Sequence, residues 1–331
     1  MMEHVTILGD GAMATVCSLL LDAGGHRVTM WGAFAESIER LNQNRENQRL
    51  LPGVRVPEAV RLTAEDANAF DDCTLVLSAV PTQYMRSVWQ RLLPYVPPNV
   101  PIISVAKGIE NETLLRPLEI IAEVTGQSSL LAALSGPNIA GEIARKLPAT
   151  AVVACENAEF ARRVQGVLST DWFRIYTNTD VIGVELAGAT KNVIAIAAGI
   201  LDGMAGGNNA KAALVTRGLV EITRLGVAMG AREETFQGLA GLGDLITTCV
   251  SPEGRNRKVG EQIGRGRKLS EILAQMQSVA EGVATTRSVV MLAERHGVEM
   301  PITQAVGSVL FDDKDPRLAL NDLMRRDPKS E

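Results

Sequence analysis

Along the first half of the chain, short β-branched runs alternate with segments whose apolar residues recur every three to four positions. Val5–Leu8 reads as a strand, Ala12–Ala23 as a helix, Arg27–Trp31 as a strand and Glu36–Asn44 as a helix, a βαβ rhythm. Further strands are expected at Thr74–Ala79, Ile102–Val105, Leu130–Ser135, Thr150–Ala154 and Phe173–Tyr176, with helices near Met85–Leu93, Thr113–Thr125 and Glu159–Leu168. After about Thr179 the strand signals stop. Helical periodicity then runs through Ile182–Ala198, Lys211–Met229, Glu233–Phe236, Asn256–Ile263, Ser270–Gln277, Thr285–His296 and Thr303–Leu310, punctuated by glycine. The pattern predicts an α/β domain with a doubly wound sheet over residues 1–179 and an all-α C-terminal domain over 180–331. No repeat at solenoid periods is visible.

The opening strand, turn and helix, Val5-Thr6-Ile7-Leu8-Gly9-Asp10-Gly11-Ala12-Met13-Ala14, match the G-x-G-x-x-A fingerprint of a Rossmann-like dinucleotide site in the context it requires. Gly9 allows the tight turn, Gly11 lets the backbone approach a pyrophosphate, and Ala14 allows close packing of the helix. Ala12 and Met13 sit at the helix start, where free N–H groups attract phosphate. A glycine-rich turn of purely structural purpose is the competing reading. The stretch Trp31-Gly32-Ala33-Phe34 lacks both the acid that would bond a ribose 2′-hydroxyl and an arginine for a 2′-phosphate, so the choice between NAD and NADP stays open. Asp10 places a carboxylate inside the phosphate loop, which is unfavourable unless its side chain points away.

Composition narrows the classes. Of 331 residues, 46% are hydrophobic and 21% charged, an ordinary globular balance long enough for two cores. The net charge of −5 leaves no footprint for nucleic acid. Cys17, Cys73, Cys155 and Cys249 are widely spaced without a C-x-x-C pair, so neither a metal site nor a disulfide framework is expected, and a reducing, cytoplasmic setting is. Met1-Met2-Glu3-His4 has no basic leader, and the longest apolar stretch, Val193–Leu201, is about half of the ~20 residues a membrane span needs.

Three further places carry candidate chemistry. At the ends of two strands, Lys107 stands at the lip of the crevice where an anionic substrate would sit, and Ser135-Gly136-Pro137-Asn138 is a turn able to touch cofactor or substrate. An ordinary surface lysine and a plain turn are the alternatives. In Val184–Ala198, helical spacing puts Lys191 on a stripe of Val184, Ala187, Gly188, Ile194, Ala195 and Ala198. Burial would lower its pKa and make the amine a general acid/base, unless the stem merely covers apolar surface while the head snorkels to water. Downstream, Gly241–Cys249 leads into Gly254-Arg255-Asn256-Arg257-Lys258. This second cluster reads as a phosphate clamp, and Asp244 either orients Lys191 or a substrate hydroxyl or caps a helix.

At these residues the chain resembles the NAD(P)-dependent glycerol-3-phosphate dehydrogenase family over nearly its whole length. The most specific matches are Val105–Glu110, Ser135-Gly136-Pro137, Glu185-Leu186-Ala187-Gly188-Ala189-Thr190-Lys191-Asn192, Gly241–Cys249 and Gly254-Arg255-Asn256-Arg257. The resemblance implies interconversion of dihydroxyacetone phosphate and glycerol 3-phosphate, feeding phospholipid synthesis. Lys191 would be the general acid/base, with Lys107 and Asp244 polarising the substrate. Gly136, Asn138, Asn192, Thr248, Gly254, Arg255 and Asn256 would line the substrate. Gly9, Gly11, Ala12, Met13, Ala14, Lys107, Ala140, Arg255, Val279 and Glu281 would line NAD or NADP. It also implies a homodimer. The chain departs from the family at Asp10-Gly11-Ala12-Met13, where alanine, glycine, a small hydroxyl residue and an aromatic are usual, and at Asn138 and Gly254. The alternatives are a ketopantoate reductase-like dehydrogenase of unphosphorylated keto acids and a non-catalytic nucleotide-binding regulator.

Overall fold

The computed structural model describes residues 2–127 and 130–327, so the extreme ends of the two expected domains, 1 and 328–331, lie outside the described residues. The chain forms two compact units, Met1–Lys107 with Leu115–Glu185, and Gly108–Leu114 with Leu186–Glu331.

The first unit holds strands β1 (His4–Leu8), β2 (Arg27–Trp31), β3 (Arg61–Thr63), β4 (Leu75–Ser78), β5 (Ile102–Ser104), β6 (Leu131–Ser135), β7 (Ala149–Ala154) and β8 (Phe173–Asn178). Helices α1 (Ala12–Ala23), α2 (Ala35–Asn44), α3 (Thr82–Leu92), α4 (Pro117–Thr125), α5 (Ala140–Ala144) and α6 (Ala158–Leu168) connect them. The sheet order is β3-β2-β1-β4-β5-β6-β7-β8, with every neighbouring pair parallel except β6 and β7. The first six strands thus follow the Rossmann order, and the strand order reverses between β1 and β4, where such sheets bind ligands. Every residue of β1, β4 and β5 is buried, as strands covered on both faces require.

Three differences from the sequence pattern have local causes. The helix expected from Thr113 begins at Pro117, whose missing N–H suits the first helical position, with the Glu119 carboxylate reaching back to accept from the Arg116 amide and guanidinium. Strand β3 has three residues and α5 has five, too few to register as periodicity. The last helix, α15 below, is announced only by Asp315-Pro316, where the Asp315 carboxylate accepts from the amides of Arg317 and Leu318.

The described elements of the second unit are helical: most of α7 (Val181–Gly203), then α8 (Gly207–Ala228), α9 (Glu233–Gln237), α10 (Asp244–Val250), α11 (Arg255–Gly264), α12 (Leu269–Gln275), α13 (Glu281–His296), α14 (Pro301–Phe311) and α15 (Pro316–Met324). Helix α7 is long and apolar enough to cross a membrane by composition, yet 89% of its most apolar window is buried inside the protein, which makes it a core helix. The segment Gly108–Leu114 belongs to this unit because the Ser288 hydroxyl of α13 bonds to the carbonyl of Ile109 (3.1 Å) and to the Asn111 side chain (2.7 Å).

Helices α7 and α11 cross backbone to backbone. A Cβ on Gly199 would lie 2.0 Å from the Arg257 carbonyl oxygen, one on Gly260 2.0 Å from that of Ile196, one on Gly203 2.2 Å from that of Glu261, and one on Gly264 2.3 Å from that of Ile200. Two G-x-x-x-G pairs, one per helix, therefore set this separation. Helix α14 is held differently. Its first amides have no partner within the helix, and the buried Glu221 carboxylate of α8 accepts from the N–H of Ile302 (2.7 Å) and of Thr303 (3.2 Å). Burial pushes this carboxyl up to about 7, against the pull of those two amides.

Two stability measurements test this account. Gly260→Ala forces the helices apart and is expected to lower the unfolding free energy by about 3 kcal/mol or more. Gly166→Ala, at an exposed position of α6 where a Cβ meets nothing within 4 Å, is expected to be neutral or to stabilise by about 0.5–1 kcal/mol; equal effects in urea titrations would contradict the crossing. A carboxyl with a raised folded pKa binds its proton more tightly when folded, so its stabilisation is present below the unfolded value of roughly 4.3 and is lost as pH rises through about 7. The stability of Glu221→Gln relative to the wild-type protein should accordingly improve by roughly 2–3 kcal/mol between about pH 5 and pH 8, and a flat difference would refute the assignment.

Candidate active site

The turn after β1 is shaped by its glycines. Gly9 has φ +116°, and a Cβ there would lie 3.0 Å from the Ala79 carbonyl oxygen just past β4, so only glycine fits the turn at the point of strand reversal. Gly11 is the N-cap of α1, and a Cβ on it would meet nothing within 4 Å. Ala12 and Met13 open the helix, half-buried against the core, and Ala14 is fully buried beneath it. The helix start carries no side-chain cap. The Asp10 side chain turns away toward α2, where its Oδ2 accepts a hydrogen bond from the Ser37 hydroxyl. Asn47 holds the backbone of the turn by donating to the Asp10 carbonyl at 2.8 Å.

Two of the other candidate segments meet within the first unit. The Lys107 ammonium, just past β5, donates to the Gly136 carbonyl at 2.8 Å, so it is partly buried and engaged rather than an ordinary surface lysine. Gly136 has φ +140° and leaves 3.0 Å between a would-be Cβ and the Ala151 Cα, a packing requirement. The Asn138 amide lies against the carbonyls of Thr150 (3.1 Å) and Pro137 (3.3 Å), and it satisfies both only with its nitrogen turned toward them as donor. Ala140 is the first residue of α5 and rests partly buried on the core.

In the second unit Lys191 is 5% exposed. Its Nζ donates to Asp244 Oδ1 at 2.6 Å and to Thr248 Oγ1 at 2.5 Å. The snorkelling alternative is thereby ruled out, since the head is held by a carboxylate and a hydroxyl in the interior. Asp244 does not cap a helix. It is the first residue of α10, follows a π-turn at Leu239–Gly243 and directs its buried carboxylate at the lysine. Thr248, one turn on, donates in turn to the Asp244 carbonyl at 2.7 Å. Asn192 is buried beside this group on α7.

The basic cluster at the start of α11 is not a single clamp. Arg257 pairs with Asp202 at 2.8 Å, and Asp202 also binds Lys211; this is a structural network on partly buried groups. Arg255, exposed at the first position of α11 after the Gly254 N-cap, donates to the Val279 carbonyl at 3.0 Å. Asn256 is buried, and its Oδ1 accepts from the Gly282 amide at 3.0 Å. Glu281 begins α13, next to Gly282. Gly282 was not legible as a site residue, yet a Cβ on it would lie 2.8 Å from both the Asn192 carbonyl oxygen and Asn256 Oδ1.

Two family models match the chain, the NAD-dependent glycerol-3-phosphate dehydrogenase N-terminus over residues 4–161 and the C-terminus of the same enzyme over 180–321. The chain belongs to the NAD-dependent glycerol-3-phosphate dehydrogenase family. It is 48% identical to glycerol-3-phosphate dehydrogenase [NAD(P)+] of Citrifermentans bemidjiense, over 100% of this chain and 99% of that one. It is 46% identical to the enzyme of the same name from Pelotomaculum thermopropionicum, over 98% and 94%. The crystal structure of glycerol-3-phosphate dehydrogenase from Coxiella burnetii superposes with a TM-score of 0.94 at 36% identity, covering 98% of this chain and 99% of that chain.

A dinucleotide fits the first unit of this family member on structural grounds. The uncapped N-terminus of α1, the open space over Gly11 and the outward-turned Asp10 together leave a cradle of backbone donors without an opposing carboxylate. The Lys191 pair makes its own prediction. Asp244→Ala strands a buried ammonium and should cost about 3–5 kcal/mol of stability, with Asp244→Asn costing less because it keeps an acceptor; urea unfolding of both variants checks the order.

Proposed function

We propose that this chain is an NAD(P)-dependent sn-glycerol-3-phosphate dehydrogenase, interconverting dihydroxyacetone phosphate and glycerol 3-phosphate and so supplying the glycerol phosphate of phospholipids. Residues 1–179 serve the cofactor and 180–331 the substrate. The observation that carries the reading is the buried Lys191 ammonium held by Asp244 and Thr248, in a chain that both family models match.

When bound, the nicotinamide supplies the hydride. Lys191 delivers a proton to the C2 oxygen of the ketone as charge develops there, and in the reverse direction its neutral amine accepts the hydroxyl proton. Asp244 and Thr248 are positioning residues that aim Nζ and hold it in one rotamer. Lys107, fixed by the Gly136 carbonyl, contributes positive charge toward the same oxyanion. Arg255 and the amide nitrogen of Asn256 bind the remote phosphate, with Gly254 giving the turn its close approach and Asn192 bonding the substrate. That binding energy positions the ketone and favours a phosphorylated substrate. Gly9, Gly11, Ala12, Met13 and Ala14 hold the pyrophosphate, and Ala140, Val279 and Glu281 line the cofactor. The four cysteines are free, and burial pushes the Cys17 and Cys249 thiols up to about 12. Inert thiols suit the cytoplasm, where we place the enzyme, as a homodimer.

Purified protein with dihydroxyacetone phosphate and NADH or NADPH should consume reduced nicotinamide, and Lys191→Ala should lower turnover by about 100-fold or more while nucleotide binding persists. Activity on an unphosphorylated keto acid alone would instead establish the ketopantoate reductase-like alternative. Nucleotide binding with no turnover on either substrate would identify a regulator.

A further inference from the structure

The end of β2 lacks an acid, but the space that such a side chain would occupy is not empty. A Cβ built on Gly32, the residue that follows β2, would meet the Ile38 side chain at 2.6 Å and lie 3.2 Å from the carboxyl carbon of Asp10. Asp10 reaches this point from the turn after β1. Strands β1 and β2 are adjacent and in register through Leu8 and Trp31, and the Gly9 amide bonds to the Trp31 carbonyl at 2.7 Å. The two strand ends are thus one locus, and a carboxylate sits there although β2 does not provide it.

The carboxylate is fixed in place. The Ser37 hydroxyl, in the first turn of α2, donates to Asp10 Oδ2, and Asn47 fixes the Asp10 carbonyl while also donating to Thr15 Oγ1 at 3.3 Å. Since an ionised carboxylate offers about four lone-pair sites, the bond from Ser37 leaves Oδ1 with acceptor capacity. The half-exposed group at the end of β2 is thus the Asp10 carboxyl. The guanidinium that approaches the same strand end, Arg91, is engaged elsewhere. Its Nε and Nη2 grip Asp66 at 2.7 and 2.8 Å, its Nη1 donates to the Ala33 carbonyl at 3.2 Å, and its plane lies over Trp31. The buried Trp31 indole also donates to Asp66 at 3.1 Å, so releasing Arg91 would disturb a second partner.

We propose that Asp10 determines cofactor choice, accepting a hydrogen bond from the adenosine ribose 2′-hydroxyl of NADH and repelling the 2′-phosphate of NADPH. The inference rests on the dinucleotide reading of the turn given above. A free 2′-hydroxyl supplies the donor that a carboxylate wants. A 2′-phosphate offers only acceptors and negative charge, and like charges in contact cost enough to discriminate by an order of magnitude or more.

Calorimetric titration of the wild-type protein and Asp10→Asn with NADH and with NADPH, without substrate, tests this independently of turnover. Asparagine keeps the size of the side chain and an acceptor for Ser37 but removes the charge. The wild-type protein should bind NADH at least about tenfold more tightly than NADPH, with the ratio shrinking as salt screens the repulsion. Asp10→Asn should bring the two affinities to within about threefold, chiefly by tightening NADPH. Equal wild-type affinities, a preference for NADPH, or an unchanged ratio in Asp10→Asn would overturn the assignment of Asp10. A folded protein that binds neither nucleotide would overturn the dehydrogenase reading beneath it.

Discussion

The carbonyl oxygens of Arg257 and Ile196 occupy space that a methyl group on Gly199 or Gly260 would need, and this contact between the backbones of α7 and α11 sets the geometry of the second unit. Helix α7 carries Lys191 and Asn192, and the start of α11 carries Arg255 and Asn256. With no side chains between them, the two helices can sit in very few registers, since any slip drives a carbonyl into a Cβ. Asn256 then passes the constraint to α13 by capping the Gly282 amide, and Gly282 itself must lack a side chain to admit Asn192 and Asn256. Rigid backbone contacts, not long side chains, hold the groups proposed to bind phosphate at a fixed distance from the proposed proton donor.

The buried charges divide by partner. Glu185 and Glu221 both face backbone donors at helix starts: Glu185 accepts from the Leu118 amide at 2.9 Å near the beginning of α4, and Glu221 does the same for α14. Burial pushes both carboxyls up to about 7, in Glu185 against the opposing charge of Arg116. These are structural devices in which a carboxylate satisfies amides left over by helix geometry. Asp244 meets the Lys191 ammonium of α7; Glu185 combines both kinds of partner, since the Arg116 guanidinium also donates to it. A paired ammonium in the interior contributes little net stability compared with a well-packed apolar side chain. Its presence on an otherwise apolar stripe accords with the proton transfer proposed for Lys191.

The doubly wound sheet could be read from the sequence because most strand, turn and helix signals there are regular and local, whereas the strand order and the short β3 came only with the structure. The Gly9–Ala14 turn and the burial of Lys191 were legible for the same reason, one from a fingerprint in context and the other from a lysine at core spacing. What escaped was non-local or brief. Helix α10 and the π-turn before it lie in a glycine-rich stretch whose helical state is imposed by packing, as the 2.1 Å separation between a Cβ on Gly241 and the Phe236 carbonyl oxygen shows. The cluster Gly254–Lys258 read as one clamp because its charges are adjacent in sequence, but helical geometry sends Arg257 to Asp202 and Asn256 to Gly282. The G-x-x-x-G spacings at 199–203 and 260–264 were visible signals whose meaning emerges only when the two helices are seen together.

Gly108–Leu114 is anchored by Ser288, 179 residues later than Ile109 in the chain. At elongation rates of roughly 5–20 residues per second, this heptapeptide leaves the ribosome on the order of 10–40 s before its anchor has been made. Its neighbours on both sides belong to a unit whose strands are complete much earlier. The fold thus includes a late step of long loop closure, in which a short stretch interrupting an already assembled sheet domain waits for the last third of the polypeptide to claim it.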